Sequence, residues 1–103
     1  GSRRRGGDGV KTIWKYPLQR ALTTIFMPTE AKILTLQVQL GAGPCLWVAV
    51  DTDKPPTKRT FALVGTGHEL PEGTTYIGTW QEPPFVWHLF EASSEEAINA
   101  CKD

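Results

Sequence analysis

Along most of the chain, apolar positions alternate with polar ones at a period of two, the spacing of β-strands. The clearest case is Lys32–Asp51, KILTLQVQLGAGPCLWVAVD. In its first half Leu34, Leu36, Val38 and Leu40 stand opposite Ile33, Thr35, Gln37 and Gln39; in its second half Leu46, Val48 and Val50 make a matching row. Gly41-Ala42-Gly43-Pro44 lies between the halves, so the spacing predicts a hairpin with one apolar row on each strand. Such a face must be covered, and the other segments read as its cover.

Thr12–Leu18 combines β-branched and aromatic residues and reads as a first strand, with Pro17 confining it to an edge or ending it. Leu22–Met27 is a second, closed by the turn signal Pro28-Thr29-Glu30. Asp51–Thr57 reads as a loop because of its adjacent prolines and its charges. Lys58–Val64 resumes as a strand, with Arg59, Phe61 and Leu63 opposite Thr60, Ala62 and Val64. Gly65–Gly73 (GTGHELPEG) is turn chemistry. Thr74–Trp80 is a strand weakened at Gly78, and Gln81–Pro84 turns the chain into a last strand, Phe85–Glu91. Helical grammar appears only after that: Ser93 with Glu96 forms a capping box ahead of Ala97, Ile98, Ala100 and Cys101. About seven strands with no room between them for helical crossovers predict a mainly β fold, an antiparallel sandwich or barrel with a short C-terminal helix.

At 103 residues the chain is long enough for one core, and residues 10–103 read as a single β-rich domain. The opening GSRRRGGDG reads as a flexible tail or expression scar. It carries Arg3, Arg4 and Arg5 against Asp8, so the remaining residues of this overall neutral chain are slightly acidic. No run approaches the ~20 apolar residues of a membrane span. The expected location is the cytoplasm, and Cys45 and Cys101 are expected as reduced, partly buried thiols.

Candidate chemistry is sparse. Serine occurs only at Ser2, Ser93 and Ser94, outside the strands, which argues against a serine nucleophile. Gly65-Thr66-Gly67-His68 follows a strand, but no helix begins there, and Leu70 and Pro71 break the dinucleotide fingerprint. His68 and His88 lack any short metal-ligand spacing, so neither a metal nor a cofactor is expected. Trp14, Trp47, Trp80 and Trp87 read mainly as core filling. Trp47 is the exception: it lies on the face opposite Leu46, Val48 and Val50, where a large aromatic suggests a subunit interface. Basic residues do not interleave with the aromatics, so nucleic acid is an unlikely partner.

Taken in order, TIWKYPL, IFMPTEAKILTLQVQLGAGPCLWVAVD, KRTFALVGTGHEL, YIGTW and VWHLFE resemble a family of small uncharacterised β-rich proteins encoded by tailed phages, prophages and other mobile DNA. The likeness covers Thr12 to Glu91 and implies an intracellular accessory protein of a mobile element. In such relatives the turn Gly65–His68 and the strand Val86–His88 recur. The Arg-rich start and the segment Ser93–Asp103 depart from the family's compact ends.

The favoured expectation is a non-enzymatic protein that forms a homo-oligomer and binds a protein or small-molecule partner. Its candidate binding residues are Gly65, Gly67, His68, His88 and Trp80, with Trp47 at the interface. One alternative is a small hydrolase or lyase using His68 and His88 as acid and base, with Glu69 or Glu91. Others are weak nucleic-acid binding through Arg3–Arg5 and sequestration of a nucleotide signal.

Overall fold

The computed structural model describes residues 10–18 and 21–101. Its strands are β1 (Lys11–Pro17), β2 (Leu22–Pro28), β3 (Lys32–Gln39), β4 (Gly43–Asp51), β5 (Pro56–Gly65), β6 (Thr74–Glu82) and β7 (Phe85–Ala92), followed by the helix α1 (Glu95–Cys101). Paired strands are all antiparallel. They form two sheets, one of order β1-β4-β3 and one of order β2-β5-β7-β6, stacked as a sandwich and not closed into a barrel. The N-terminal tail and its arginines lie outside the described residues.

Alternation places the core. Leu46, Val48 and Val50 of β4 turn inward and meet Met27, Phe61, Trp80 and Leu89 from the second sheet. β5 is one of the two interior strands of the larger sheet and is buried at Thr60, Phe61, Ala62, Val64 and Gly65, as expected of a strand flanked on both sides. β1 is an edge strand that ends at Pro17, where the missing N–H costs the ladder nothing.

Three local readings are corrected. In β3 the predicted inward row does not hold: a register shift between Ile33 and Thr35 turns Ile33 toward the core together with Leu36, while Leu34, Val38 and Leu40 are exposed. A β-bulge adds one residue to one strand and so reverses the faces on one side of it. The loop read at Asp51–Thr57 is shorter, because β4 keeps Asp51 and β5 begins at Pro56. Pro56 is the terminal partner of Pro28, a position where neither ring has to donate. The helix is capped by Ser94, whose Oγ accepts the Ala97 N–H at 3.1 Å. Ser93 therefore stands one residue before the cap, and no capping box with Glu96 forms.

β5 and β6 both pair with β7, so they run parallel to each other on either side of it. The chain between them, Thr66–Gly73, must travel back from the Trp87 end of β7 to its Ala92 end. That return path, together with α1, builds the site described next.

Candidate functional site

The outer face of the four-stranded sheet carries Leu22 and Thr24 on β2, Ala62 and Val64 on β5, and His88 and Phe90 on β7 by alternation. It carries both Tyr76 and Thr79 on β6 because the β6–β7 register shifts between Tyr76 and Gly78. The Gly65–His68 turn sits at one end of this face. The His68 N–H donates to the Gly65 carbonyl at 3.0 Å, and Gly67 holds φ at 93°, a conformation open to glycine at no steric cost. At Gly65 a Cβ would stand 3.2 Å from both the His68 imidazole and the Trp87 ring. Without one, the imidazole packs down against the strand end beside Trp87.

Thr66, between the two glycines, binds His88. The Thr66 hydroxyl donates to the Val86 carbonyl at 3.2 Å and lies 2.9 Å from His88 Nε2. Thr79 Oγ1 lies 2.9 Å from His88 Nδ1, and the Tyr76 hydroxyl lies 2.6 Å from Thr79 Oγ1. Donor and acceptor roles along the row follow the tautomer of His88. With the proton on Nε2, Tyr76 donates to Thr79, Thr79 to His88 Nδ1, the Nε2–H to Thr66, and Thr66 to the Val86 carbonyl. Both ring nitrogens of His88 are thus engaged by hydroxyls. The Tyr76 ring also packs edge-on against Phe90, with centroids 5.6 Å apart.

Beside this row the returning chain and α1 stand off the sheet and leave a groove of about 600 Å³. Leu22, Ala62 and Val64 line the sheet side, His68–Glu72 one wall, and Ala100 and Cys101 the other. A second hollow of about 620 Å³ lies on the far side of α1, between Glu72-Gly73 and Ser94, Glu96 and Asn99. Glu69, Glu72 and Glu96 stand on these rims, and no Lys or Arg lines either hollow among the described residues. Burial pushes the Cys101 thiol above its ordinary range.

The sequence-predicted residues are therefore separated. Gly65, Gly67 and His68 form the turn at the mouth of the groove, and His88 joins them through Thr66, not through His68. His68 lines the groove and His88 does not. Trp80, expected beside the turn, is in the core at 7% exposure, its Nε1 buried without a partner among the described residues. It faces Trp87 across the β6–β7 ladder, on the side of the sheet away from His88. Trp47 lies half-buried on the outer face of the other sheet, in register with Lys15 and Thr35. Cys45 is fully buried and Cys101 partly so, both as free thiols. Among the described residues no group of three or more His, Cys, Asp or Glu stands close enough to hold a metal ion.

Thr66, Thr79 and Tyr76 were not singled out from the sequence, nor was the helix seen as a groove wall. A signal for Thr79 existed. A tight turn at Pro83-Pro84 pairs Glu82 with Phe85, and counting back brings Thr79 opposite His88. The helix wall had no such signal, because where α1 docks depends on contacts distant in sequence.

Residues 10–100 match the model of a domain of unknown function, DUF7352. No curated protein and no solved structure matches the chain.

Proposed function

The chain belongs to the DUF7352 family, whose function is unknown, and from its own surface we propose a non-enzymatic accessory protein that self-associates and binds a partner or small ligand. The binding site in this reading is the groove between His68–Glu72 and the end of α1. The observation that carries it is the groove's build: an apolar floor of Leu22, Ala62 and Val64 under a wall of turn residues, with acidic side chains at the rim. Ligand sites are concave and place a few polar groups around an apolar surface, and this groove sets an apolar floor within largely polar walls. A neutral or cationic ligand suits this one better than an anion, since Glu69 and Glu72 would repel negative charge.

The hydrolase or lyase reading has less support. An acid–base pair must reach one reacting centre, whereas His68 lines the groove without His88, and both nitrogens of His88 are held by threonines. The mobile-element setting and a cytoplasmic location stay part of the proposal, on the strength of the resemblance. No helix of the described residues is long and apolar enough to cross a membrane.

The test uses the neutral apolar dye Nile red. Its fluorescence should rise on binding the native protein, and Ala100→Trp, which fills the groove, should abolish the rise while leaving the circular dichroism unchanged. The anionic dye anilinonaphthalene sulfonate should bind more weakly. Equal Nile red binding by wild type and Ala100→Trp would remove the groove from the proposal.

A further inference from the structure

We infer that the free edge of β1 is where a second copy of this chain pairs, giving a continuous antiparallel sheet across a two-fold axis. The inference deepens the self-association in the reading above and names its surface; it does not depend on the groove.

The β1 backbone groups fall into two sets, one already bonded within the subunit and one not. At the ends of the β1–β4 ladder the Thr52 N–H donates to the Val10 carbonyl and the Leu18 N–H to the Pro44 carbonyl, each at 2.9 Å. The register between those ends is unbroken, Lys11 facing Asp51 through to Pro17 facing Cys45. Hydrogen-bonded and non-bonded pairs alternate in an antiparallel ladder. Thr12, Trp14 and Tyr16 therefore bond to β4, while Lys11, Ile13 and Lys15 point their N–H and C=O groups away from it. Among the described residues β1 pairs with no other strand. Its sheet has three strands against the four of the sheet it covers. The shortfall is visible at Trp14, which lies on the same face as the buried Val48 yet is 42% exposed. Ile13, on the outer face, is 56% exposed.

Lysines on an edge strand normally guard it against pairing. Here the Lys15 ammonium is turned along the outer face and donates to Gln39 Oε1 at 2.6 Å, so it does not block the edge. Charge then selects the register. Centring the two-fold on Ile13 puts Lys11 opposite the partner's Lys15, and centring it on Lys15 puts that residue opposite itself. Centring it on Trp14 overlaps the full length of both strands with no like charges opposed. Ile13 then exchanges backbone hydrogen bonds with the partner's Lys15, and Thr12 lies beside the partner's Tyr16. The two Trp14 rings meet in a non-hydrogen-bonded pair, where side chains approach most closely, and each covers the other's exposed flank. A copy of this chain thus supplies donors, acceptors, an aromatic partner and an acceptable charge pattern in one alignment. A single strand pair makes a small interface beside the roughly 800 Å² per partner of a standard one, so the dimer is expected to be weak.

The test is a dilution series by sedimentation equilibrium, from micromolar to hundreds of micromolar, on wild type, Ile13→Pro and Trp47→Glu. The Ile13 N–H is unused within one copy, so proline there removes an intermolecular donor and leaves the β1–β4 ladder whole. Ile13→Pro should weaken dimerisation at least about tenfold with unchanged circular dichroism, and Trp47→Glu should not weaken it. Cross-linking covers the case in which Ile13→Pro fails to fold. Opposed non-hydrogen-bonded positions lie within the Cα range of a disulfide. Trp14→Cys combined with Cys101→Ser should therefore oxidise to a covalent dimer, and Leu34→Cys combined with Cys101→Ser should not. A wild type that stays monomeric throughout, a dimer lost in Trp47→Glu but kept in Ile13→Pro, or equal cross-linking at positions 14 and 34 overturns the inference. Nile red binding, read on the same samples, reports on the groove separately.

Discussion

Leu36 on β3 occupies the space that a side chain at Gly78 of β6 would need. A Cβ at Gly78 would stand 3.2 Å from Leu36 Cδ2 and 3.3 Å from Leu36 Cβ. The contact joins the two sheets at the corner where β3 approaches β6. Because the Leu36 Cβ is fixed by its backbone, the pair has little freedom to relax.

Gly78→Ala should destabilise the protein by about 1–2 kcal/mol through overpacking. Leu36→Ala should cost about 2 kcal/mol, toward the low end for such truncations because Leu36 is only partly buried. The double variant should cost clearly less than the sum, by at least about 0.5 kcal/mol. Urea unfolding of the three variants measures this, and simple additivity would show that the two residues do not compete for one space.

A second expectation concerns the charged pair between the sheets. Arg59 donates to Glu91 through Nε at 2.6 Å and Nη2 at 2.7 Å, and its Nη1 donates to the Ala31 carbonyl at 2.6 Å. The guanidinium thus ties the β2–β3 turn to β5 and β7. Its pKa is raised chiefly by the hydrogen bond to Glu91. A raised pKa on a base means the stabilisation is complete below the unfolded value, and for arginine that covers all ordinary pH. Glu91→Gln should cost about 3 kcal/mol, since it leaves the half-buried cation uncompensated. Arg59→Met combined with Glu91→Leu should cost less than Glu91→Gln, despite the orphaned Ala31 carbonyl. Chemical denaturation at neutral pH decides the order.

Alkaline pH should weaken the fold through two acids. Burial raises the Tyr16 hydroxyl above 10.0 and the Cys101 thiol above 9.0. For an acid raised on folding, the unfolded chain ionises first. The stabilisation is therefore whole below the unfolded value and declines as pH climbs through the folded one. Stability should fall as pH rises above the ordinary thiol and phenol ranges, and Tyr16→Phe with Cys101→Ser should flatten that fall. Tyr16→Phe alone should be neutral or stabilising at pH 7, because the buried hydroxyl has no hydrogen-bond partner among the described residues.

The helix cap provides a fourth check. Ser94→Ala should cost α1 about 1 kcal/mol, while Ser93→Ala should have little effect. The helix has seven residues, too few to persist without docking. Hydrogen exchange at Ala97 and Ile98 should therefore accelerate in Ser94→Ala alone, and the groove wall should loosen with it.

The strands were legible because alternation is a local property, written in neighbouring residues. The β3–β4 and β6–β7 hairpins followed from runs joined by glycine or proline turns. The bulge at Leu34 was not legible, because an inserted residue leaves no mark on composition and reverses a face without changing the pattern that precedes it. His88 was noticed for its type, but its threonine partners come from strands and turns whose pairing had to be known first. Trp80 carries both a core-filling and a ligand-binding reading in the sequence, and its burial agrees with the first: a tryptophan near a turn reads the same whether it faces core or ligand.

By itself, then, the order of residues determined that this chain is a set of short antiparallel strands around one core, ending in a weak helix. Only the tertiary structure decided that β7 lies between β5 and β6, that the returning loop and α1 wall a groove, and that β1 is left with an open edge. The difference is physical. Strand identity comes from side chains two positions apart, whereas strand order is chosen by the summed burial of residues far apart in the chain, to which no single position holds the key.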